Sequence, residues 1–175
     1  MPFVTQIAEE DAGPELKPLY QQIRSAFGFI PNYFLAQGRA PHLIAAQIAL
    51  GMGIVEDAAL PRTTKEQIGL VVSGANTSSY CVALHMELLR TLGIEKPLGR
   101  KLATDFANAP VDAKVKLLFQ FADKLTRRPA DIEEKDAAVV REAWGEAALF
   151  ETVLACALFN FYNRVSIGLG LMPDF

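Results

Sequence analysis

Apolar residues recur along most of the chain at the three- and four-residue spacing of amphipathic helices. The clearest case is the stretch from Asp112 to Arg127, where one face carries Val115, Leu118, Phe119, Ala122 and Leu125. Clean runs of alternating polar and apolar residues are missing from the sequence, as are the Asn-Gly and Asp-Gly turns of β-hairpins. The pattern therefore predicts an all-α protein.

Proline, glycine and capping signals divide this pattern into nine predicted helices. They cover approximately residues 14–27, 32–37, 41–54, 63–75, 80–92, 97–106, 112–127, 132–144 and 146–167. The fourth is expected to begin at a capping box, in which the Thr63 hydroxyl is followed three residues later by Glu66. A polar break after it, from Gly74 to Ser79, predicts a helical hairpin over about residues 63–92.

The last predicted helix is apolar nearly all round, which is typical of a helix at the centre of a bundle or at a subunit interface. Its longest apolar stretch is interrupted by Glu151 and Asn160 and is shorter than the roughly 20 residues that span a bilayer. The first residues lack the basic and apolar regions of a signal peptide. We therefore expect a cytoplasmic homo-oligomer with reduced thiols and no membrane association.

Composition narrows the class of protein further. A length of 175 residues fits one domain, 1–175, and the 51% share of apolar residues excludes disorder. The 17 basic residues against 20 acidic ones, a net charge of −3, argue against nucleic-acid binding. Two cysteines and two histidines are too few for a disulfide framework. We predict neither a metal nor another cofactor.

One group of residues has a spacing that is typical of an active site. Cys81 and His85 are four residues apart on one face of the fifth helix, and Cys81 lies in its first turn. An adjacent imidazole and a helix N-terminus are expected to lower the pKa of a thiol and make it nucleophilic. Glu66, on the preceding helix, is placed to orient His85. Each residue alone also fits a structural role: a small core thiol, a satisfied core histidine and a capping carboxylate.

The segment that contains Glu66 and Ser78-Ser79-Tyr80-Cys81-Val82-Ala83-Leu84-His85 resembles the core motif of the alkylhydroperoxidase D / carboxymuconolactone decarboxylase family. That motif has a Glu, then the first Cys of a Cys-x-x-Cys twelve residues later, then a His four after the second Cys. Three of the four positions match, and Ser78 replaces the first cysteine. The stretch 159–164 with Gly168-Leu169-Gly170 resembles the peroxidase-related branch. The resemblance implies a single-domain AhpD-like helical bundle.

The same resemblance implies a function and its residues. Cys81 would reduce a small-molecule hydroperoxide, with His85 and Glu66 as the proton relay. Ser78 cannot supply a resolving disulfide, so an external thiol or thiol protein would regenerate Cys81. Independently of the family, a serine three residues before Cys81 is a good helix N-cap.

Cys156, Asn160, Asn163 and Arg164 form a polar stripe on the last helix. The stripe has three open interpretations: it lines the cavity of Cys81, with Cys156 as a resolving thiol, it binds helix termini, or it contacts a neighbouring subunit. Two other functions also stay open. One is a non-redox, decarboxylase-like enzyme in which His85 and Glu66 move protons and Arg164 holds a carboxylate. The other is a non-catalytic oligomeric binding or sensing protein.

Overall fold

The computed structural model describes residues 2–174, and within that range the chain forms nine α-helices and two 3₁₀ turns, with no strand. The α-helices are α1 Leu16–Phe27, α2 Asn32–Leu35, α3 Pro41–Val55, α4 Arg62–Ala75, α5 Ser79–Thr91, α6 Lys96–Asp105, α7 Ala113–Arg127, α8 Glu134–Trp144 and α9 Glu146–Gly168. The 3₁₀ turns, Phe106–Asn108 and Pro129–Asp131, were not predicted. The predicted all-α fold is confirmed.

Helices α4 and α9 lie at the centre of the bundle. Helix α4 packs against α5, α6, α7 and α9, and ten consecutive residues from Thr64 to Ser73 are buried. Helix α9 contacts α3, α4, α5, α7 and α8, as its apolar pattern indicates. None of the helices in the described part of the chain is long and apolar enough to cross a membrane.

The start of α4 differs from the predicted capping box. Pro61 precedes the helix in an extended conformation, and the backbone N–H of Arg62 donates to the Asp57 carboxylate at 2.6 Å. Thr63 is therefore already inside the helix and cannot cap it. Glu66 lies a full turn into α4, and its side chain is buried. The capping box is wrong, and Glu66 is free for another role.

The turn between α4 and α5 also differs from the prediction in one respect. Gly74 belongs to α4, where a Cβ would clash with the carbonyl oxygen of Ala103 in α6, so glycine permits this close packing. The chain reverses later, at Thr77, whose φ is +54°. Ser78 then caps α5 by accepting the Cys81 N–H at 3.4 Å, as predicted.

Three groups of buried apolar residues make up the interior. The largest includes Ile68 of α4 and Phe159 of α9, the second joins α1 to α3 through Ile23 and Ile44, and the third surrounds Cys81. The groups do not fuse into one core. A cavity remains between them, and residues from all three form its walls.

Candidate active site

The cavity has a volume of about 670 Å³, within the range of small-molecule sites. Its walls come from α1, α2, α3, α4, α5 and α9, and they are mainly apolar and aromatic. Cys81, His85 and Glu66 all contribute to the lining. The three residues that the sequence singles out for chemistry therefore line one cavity.

A short hydrogen bond joins His85 to Glu66. His85 Nδ1 lies 2.8 Å from Glu66 Oε2, and both side chains are buried. A carboxylate on Nδ1 favours the tautomer that carries its proton there, which leaves Nε2 as the basic nitrogen. The Glu66 carboxylate is the orienting partner that the sequence predicts.

Two neighbours fix the position of the His85 ring. On one side it lies so close to α4 that a Cβ at Gly69 would be 2.5 Å from His85 Cε1. On the other, the ring meets Phe159 edge to face, with 4.6 Å between centroids. Glycine at position 69 is thus what lets the imidazole lie against α4 within reach of Glu66.

Glu66 also faces a cation at the start of its own helix. Arg62 Nε is 3.6 Å from Glu66 Oε1, and Arg62 is partly exposed where it lines the cavity. The carboxylate thus has His85 on one oxygen and Arg62 on the other. Part of its charge is offset before a ligand binds.

Cys81 has a hydroxyl as its partner. Its Sγ is 3.4 Å from Ser166 Oγ of α9, and Ser166 donates to the Tyr162 carbonyl at 2.8 Å. Burial raises the pKa of the Cys81 thiol, while its hydrogen bonds with Ser166 and Ser78 act in the opposite direction. The sequence predicts a lowered pKa, but desolvation by burial is the largest influence here and raises it. A raised pKa favours the protonated thiol, so a nucleophilic Cys81 calls for a base.

Residues 41–97 match the carboxymuconolactone decarboxylase family, a segment that includes α4, α5 and the Cys81 motif. The solved structures extend the likeness to nearly the whole chain. A peroxidase-related protein from Silicibacter sp. TM1040 is 26% identical over 99% of this chain and 94% of its own, with a TM-score of 0.89. Residues 41–97 thus resemble the carboxymuconolactone decarboxylase family, and the chain as a whole shares the fold of this peroxidase-related protein.

Two further solved structures share the fold. A peroxidase-related protein with an alkylhydroperoxidase AhpD core, from Ralstonia eutropha JMP134, is 21% identical over 99% of this chain and 92% of its own, with a TM-score of 0.91. A cysteine-to-alanine variant of the debrominase Bmp8, in complex with 2,3,4-tribromopyrrole, is 22% identical over 98% and 91%, with a TM-score of 0.85. No curated protein matches the chain.

Cys156, the first residue of the polar stripe, lies outside the cavity lining of this AhpD-like protein. Cys156 Sγ contacts Thr126 Oγ1 at 3.4 Å and the Ala122 carbonyl at 3.6 Å, both on α7. Asn160 donates to the same threonine at 3.0 Å. Cys156 therefore faces α7, on a different side of α9 from Ser166 and the Cys81 thiol.

The rest of the stripe ties α9 to α4. Asn163 is fully buried and donates to Ser73 Oγ at 3.2 Å. Arg164 donates to the side chain of Asn76, which also donates to Asn160 Oδ1 at 2.9 Å. Since Asn76 caps the C-terminal end of α4, this geometry matches the interpretation in which the stripe binds helix termini.

Sequence reasoning missed several polar residues of the cavity. Besides Ser166, these are Tyr33 and Gln47, whose side chains join at 2.7 Å, and Tyr162, which donates to the Gln47 carbonyl at 3.2 Å. Ser166 had one sequence signal, a hydroxyl inside a nearly uniform apolar pattern. Among residues 2–174 no group of three or more His, Cys, Asp or Glu is arranged to hold a metal ion.

Proposed function

We propose that the protein is a peroxidase-related thiol oxidoreductase that reduces hydroperoxides through Cys81. One observation carries the proposal: the Cys81 thiol faces the same cavity as a histidine already oriented by a buried carboxylate. Nucleophilic catalysis by a protonated thiol requires a base of this kind. The family and the peroxidase-related structures support the general class, and the specific reaction is our proposal.

These residues can carry out the first half-reaction, the reduction of the hydroperoxide by Cys81. His85 Nε2 takes the Cys81 proton, and the thiolate attacks the terminal oxygen of the hydroperoxide. An S–O bond forms, the O–O bond breaks, and the departing alkoxide takes the proton back from the imidazolium. The products are an alcohol and the Cys81 sulfenic acid. Glu66 stabilises the imidazolium between the two proton transfers.

The second half-reaction needs a thiol from outside the chain. Ser78 occupies the position where the motif has its other cysteine, and Cys156 is packed against α7. An external thiol would form a mixed disulfide with the sulfenic acid and release water. A second thiol would then release the Cys81 thiol and leave as the disulfide product.

The alternatives to a peroxidase have different support. For a decarboxylase-like enzyme, Arg164 was the expected carboxylate ligand, but it pairs with Asn76 outside the cavity lining. A second candidate is thiol-dependent removal of bromine from an aromatic ring, with two thiols supplying the electrons and hydrogen bromide released. The aromatic cavity wall and the debrominase structure favour this as the alternative to be assayed.

We also propose that the protein is a cytoplasmic homo-oligomer. Both cysteines are free thiols, which suits a reducing cytoplasm. Large apolar side chains such as Leu43, Leu50 and Phe150 are more than half exposed, which supports a homo-oligomer.

The function is tested by peroxide consumption with dithiothreitol as reductant, together with trapping of a sulfenic acid by dimedone. We expect Cys81→Ser to abolish both signals, and Glu66→Gln to lower kcat/KM by about 10- to 100-fold because the imidazolium loses its partner. Cys156→Ser is the matched control and should retain turnover within about twofold. Undiminished turnover in Cys81→Ser would refute the proposal. Bromide release from a bromopyrrole without peroxide turnover would favour the second candidate.

A further inference from the structure

Molecules reach Cys81 in the folded protein through the cavity. The Cys81 side chain is 2% exposed, and the neighbouring lining residues Tyr80, His85 and Phe159 are equally deep. Whatever reacts with the thiol, whether an oxidant, a reductant or a chemical probe, must first pass the residues at the cavity mouth.

The mouth consists of the cavity-lining residues that are exposed to solvent. They are Gln22 and Ala26 of α1, Met52 and Gly53 of α3, Glu56 and Asp57 directly after α3, and Arg62 at the start of α4. The charged groups of the mouth are thus two carboxylates and one guanidinium.

The negative charges at the mouth outweigh the positive one. Arg62 is directed toward Glu66, at 3.6 Å, so its charge is offset by a third carboxylate from inside the cavity. Lys65 donates to the backbone carbonyl of Glu56, but its charge is paired with Glu151 at 2.9 Å. The carboxylates of Glu56 and Asp57 therefore dominate the potential that an entering molecule meets.

We propose that Glu56 and Asp57 act as an electrostatic filter that admits neutral and cationic molecules to Cys81 and disfavours anions. The inference deepens the proposed function, because it assigns the substrate class as neutral or cationic organic hydroperoxides and the reductant as a low-molecular-weight thiol without net negative charge. A carboxylate-bearing substrate would be selected against at the mouth. The filter itself acts on any reagent that attacks the thiol.

Methanethiosulfonate reagents of different charge measure the filter directly. The Cys81 thiolate attacks the sulfenyl sulfur of the reagent, a mixed disulfide forms and methanesulfinate leaves. The reagents are the neutral methyl, the cationic aminoethyl and the anionic sulfonatoethyl compounds, and the protein carries Cys156→Ser. The rate of each reagent with the protein is divided by the rate of the same reagent with 2-mercaptoethanol. The normalised rate of each charged reagent is then divided by that of the neutral reagent. This removes differences in thiol reactivity between variants.

We expect the cationic reagent to react about fivefold faster than the anionic one at low ionic strength, since a charge pair about 10 Å apart in water changes a rate about twofold. The preference should shrink with added salt. Glu56→Gln with Asp57→Asn should remove it, and the new amide oxygen at position 57 still accepts the Arg62 N–H. Arg62→Gln removes the positive charge of the mouth, so it should increase the ratio of the cationic rate to the anionic rate.

A variant with Glu142→Gln and Glu146→Gln is the matched control, because it removes the same net charge from exposed positions on α8 and α9. Its ratio should equal that of the parent. Equal rates for the two charged reagents, or a loss of preference as large in the control as in the mouth variant, would overturn the filter. Absence of peroxide turnover with the preference intact would instead count against the proposed function alone.

Discussion

The two cysteines are alike in their burial and in their hydroxyl neighbours, but their wider surroundings differ. Both are buried, burial raises the pKa of both, and each has a side-chain hydroxyl 3.4 Å from its Sγ, Ser166 for Cys81 and Thr126 for Cys156. Only Cys81 lines the cavity, and only there is a histidine–carboxylate pair one helical turn away. Burial and hydrogen bonding do not make a cysteine reactive; access and a base do.

The largest expected difference between the two thiols is their rate of alkylation. Iodoacetamide, a small neutral reagent, can enter the cavity, whereas Cys156 reacts only when α7 and α9 separate. We expect Cys81 to react at least about 100-fold faster, because opening a packed helix pair costs on the order of several kcal/mol. Peptide mass analysis of the native protein over time measures both rates in one sample.

Mild urea distinguishes the two routes of reaction. The Cys156 rate should rise steeply with urea, because exposure requires unfolding, and the Cys81 rate should change little until the protein unfolds. Equal alkylation rates for Cys81 and Cys156 in the absence of urea would contradict the difference in access between the two thiols.

The next effect is at Gly69, which allows His85 to approach α4. Gly69→Ala puts a Cβ 2.5 Å from the imidazole, and we expect it to destabilise the fold by about 1–3 kcal/mol and to lower Cys81 turnover by displacing the ring. Gly99→Ala is the matched control, since its Cβ would meet Met86 Cγ at 3.4 Å, close to ordinary contact. Urea denaturation and peroxide assays provide the two measurements. A turnover in Gly69→Ala that equals that of Gly99→Ala would show that the ring position is unimportant.

The comparison also explains which features the sequence could predict. Apolar periodicity defines helices such as α7 within a residue or two, because packing one face is a local requirement. The spacing of Cys81 and His85 likewise follows from helical geometry, and Ser78 could be identified as a cap from its distance to Cys81. These inferences use residues close together in sequence.

The features that the sequence predicts wrongly, leaves open or does not reveal depend on contacts between segments that are distant in sequence. Glu66 fits a capping box locally, but Pro61 sets the helix start and His85, 19 residues away, takes the carboxylate. The depth of Cys81 in the protein, which reverses the expected pKa shift, follows from packing between α5 and α9. Ser166 reaches Cys81 across 85 residues of sequence. The separation of Cys156 from the cavity depends on which side of α9 meets α7.

The smallest expected effect concerns the hydroxyl partners. Ser166→Ala removes the hydrogen bond that opposes the burial-induced rise in the Cys81 pKa, so we expect that pKa to rise further and the alkylation rate near neutral pH to fall by a few-fold. Since the thiolate is the reacting form, the pH–rate curve should move to higher pH while its plateau is kept.

Thr126→Val is the matched change at the other cysteine, because it removes the hydroxyl beside Cys156 with little change in volume. It should leave the Cys81 pH–rate curve where it is, since Thr126 contacts only the α7 side of α9. A curve moved equally by both substitutions would mean that a general loss of stability, not the Ser166 hydroxyl, controls the thiol. A curve moved by Ser166→Ala alone would assign to Ser166 a part in holding the Cys81 pKa below the value that burial by itself would give.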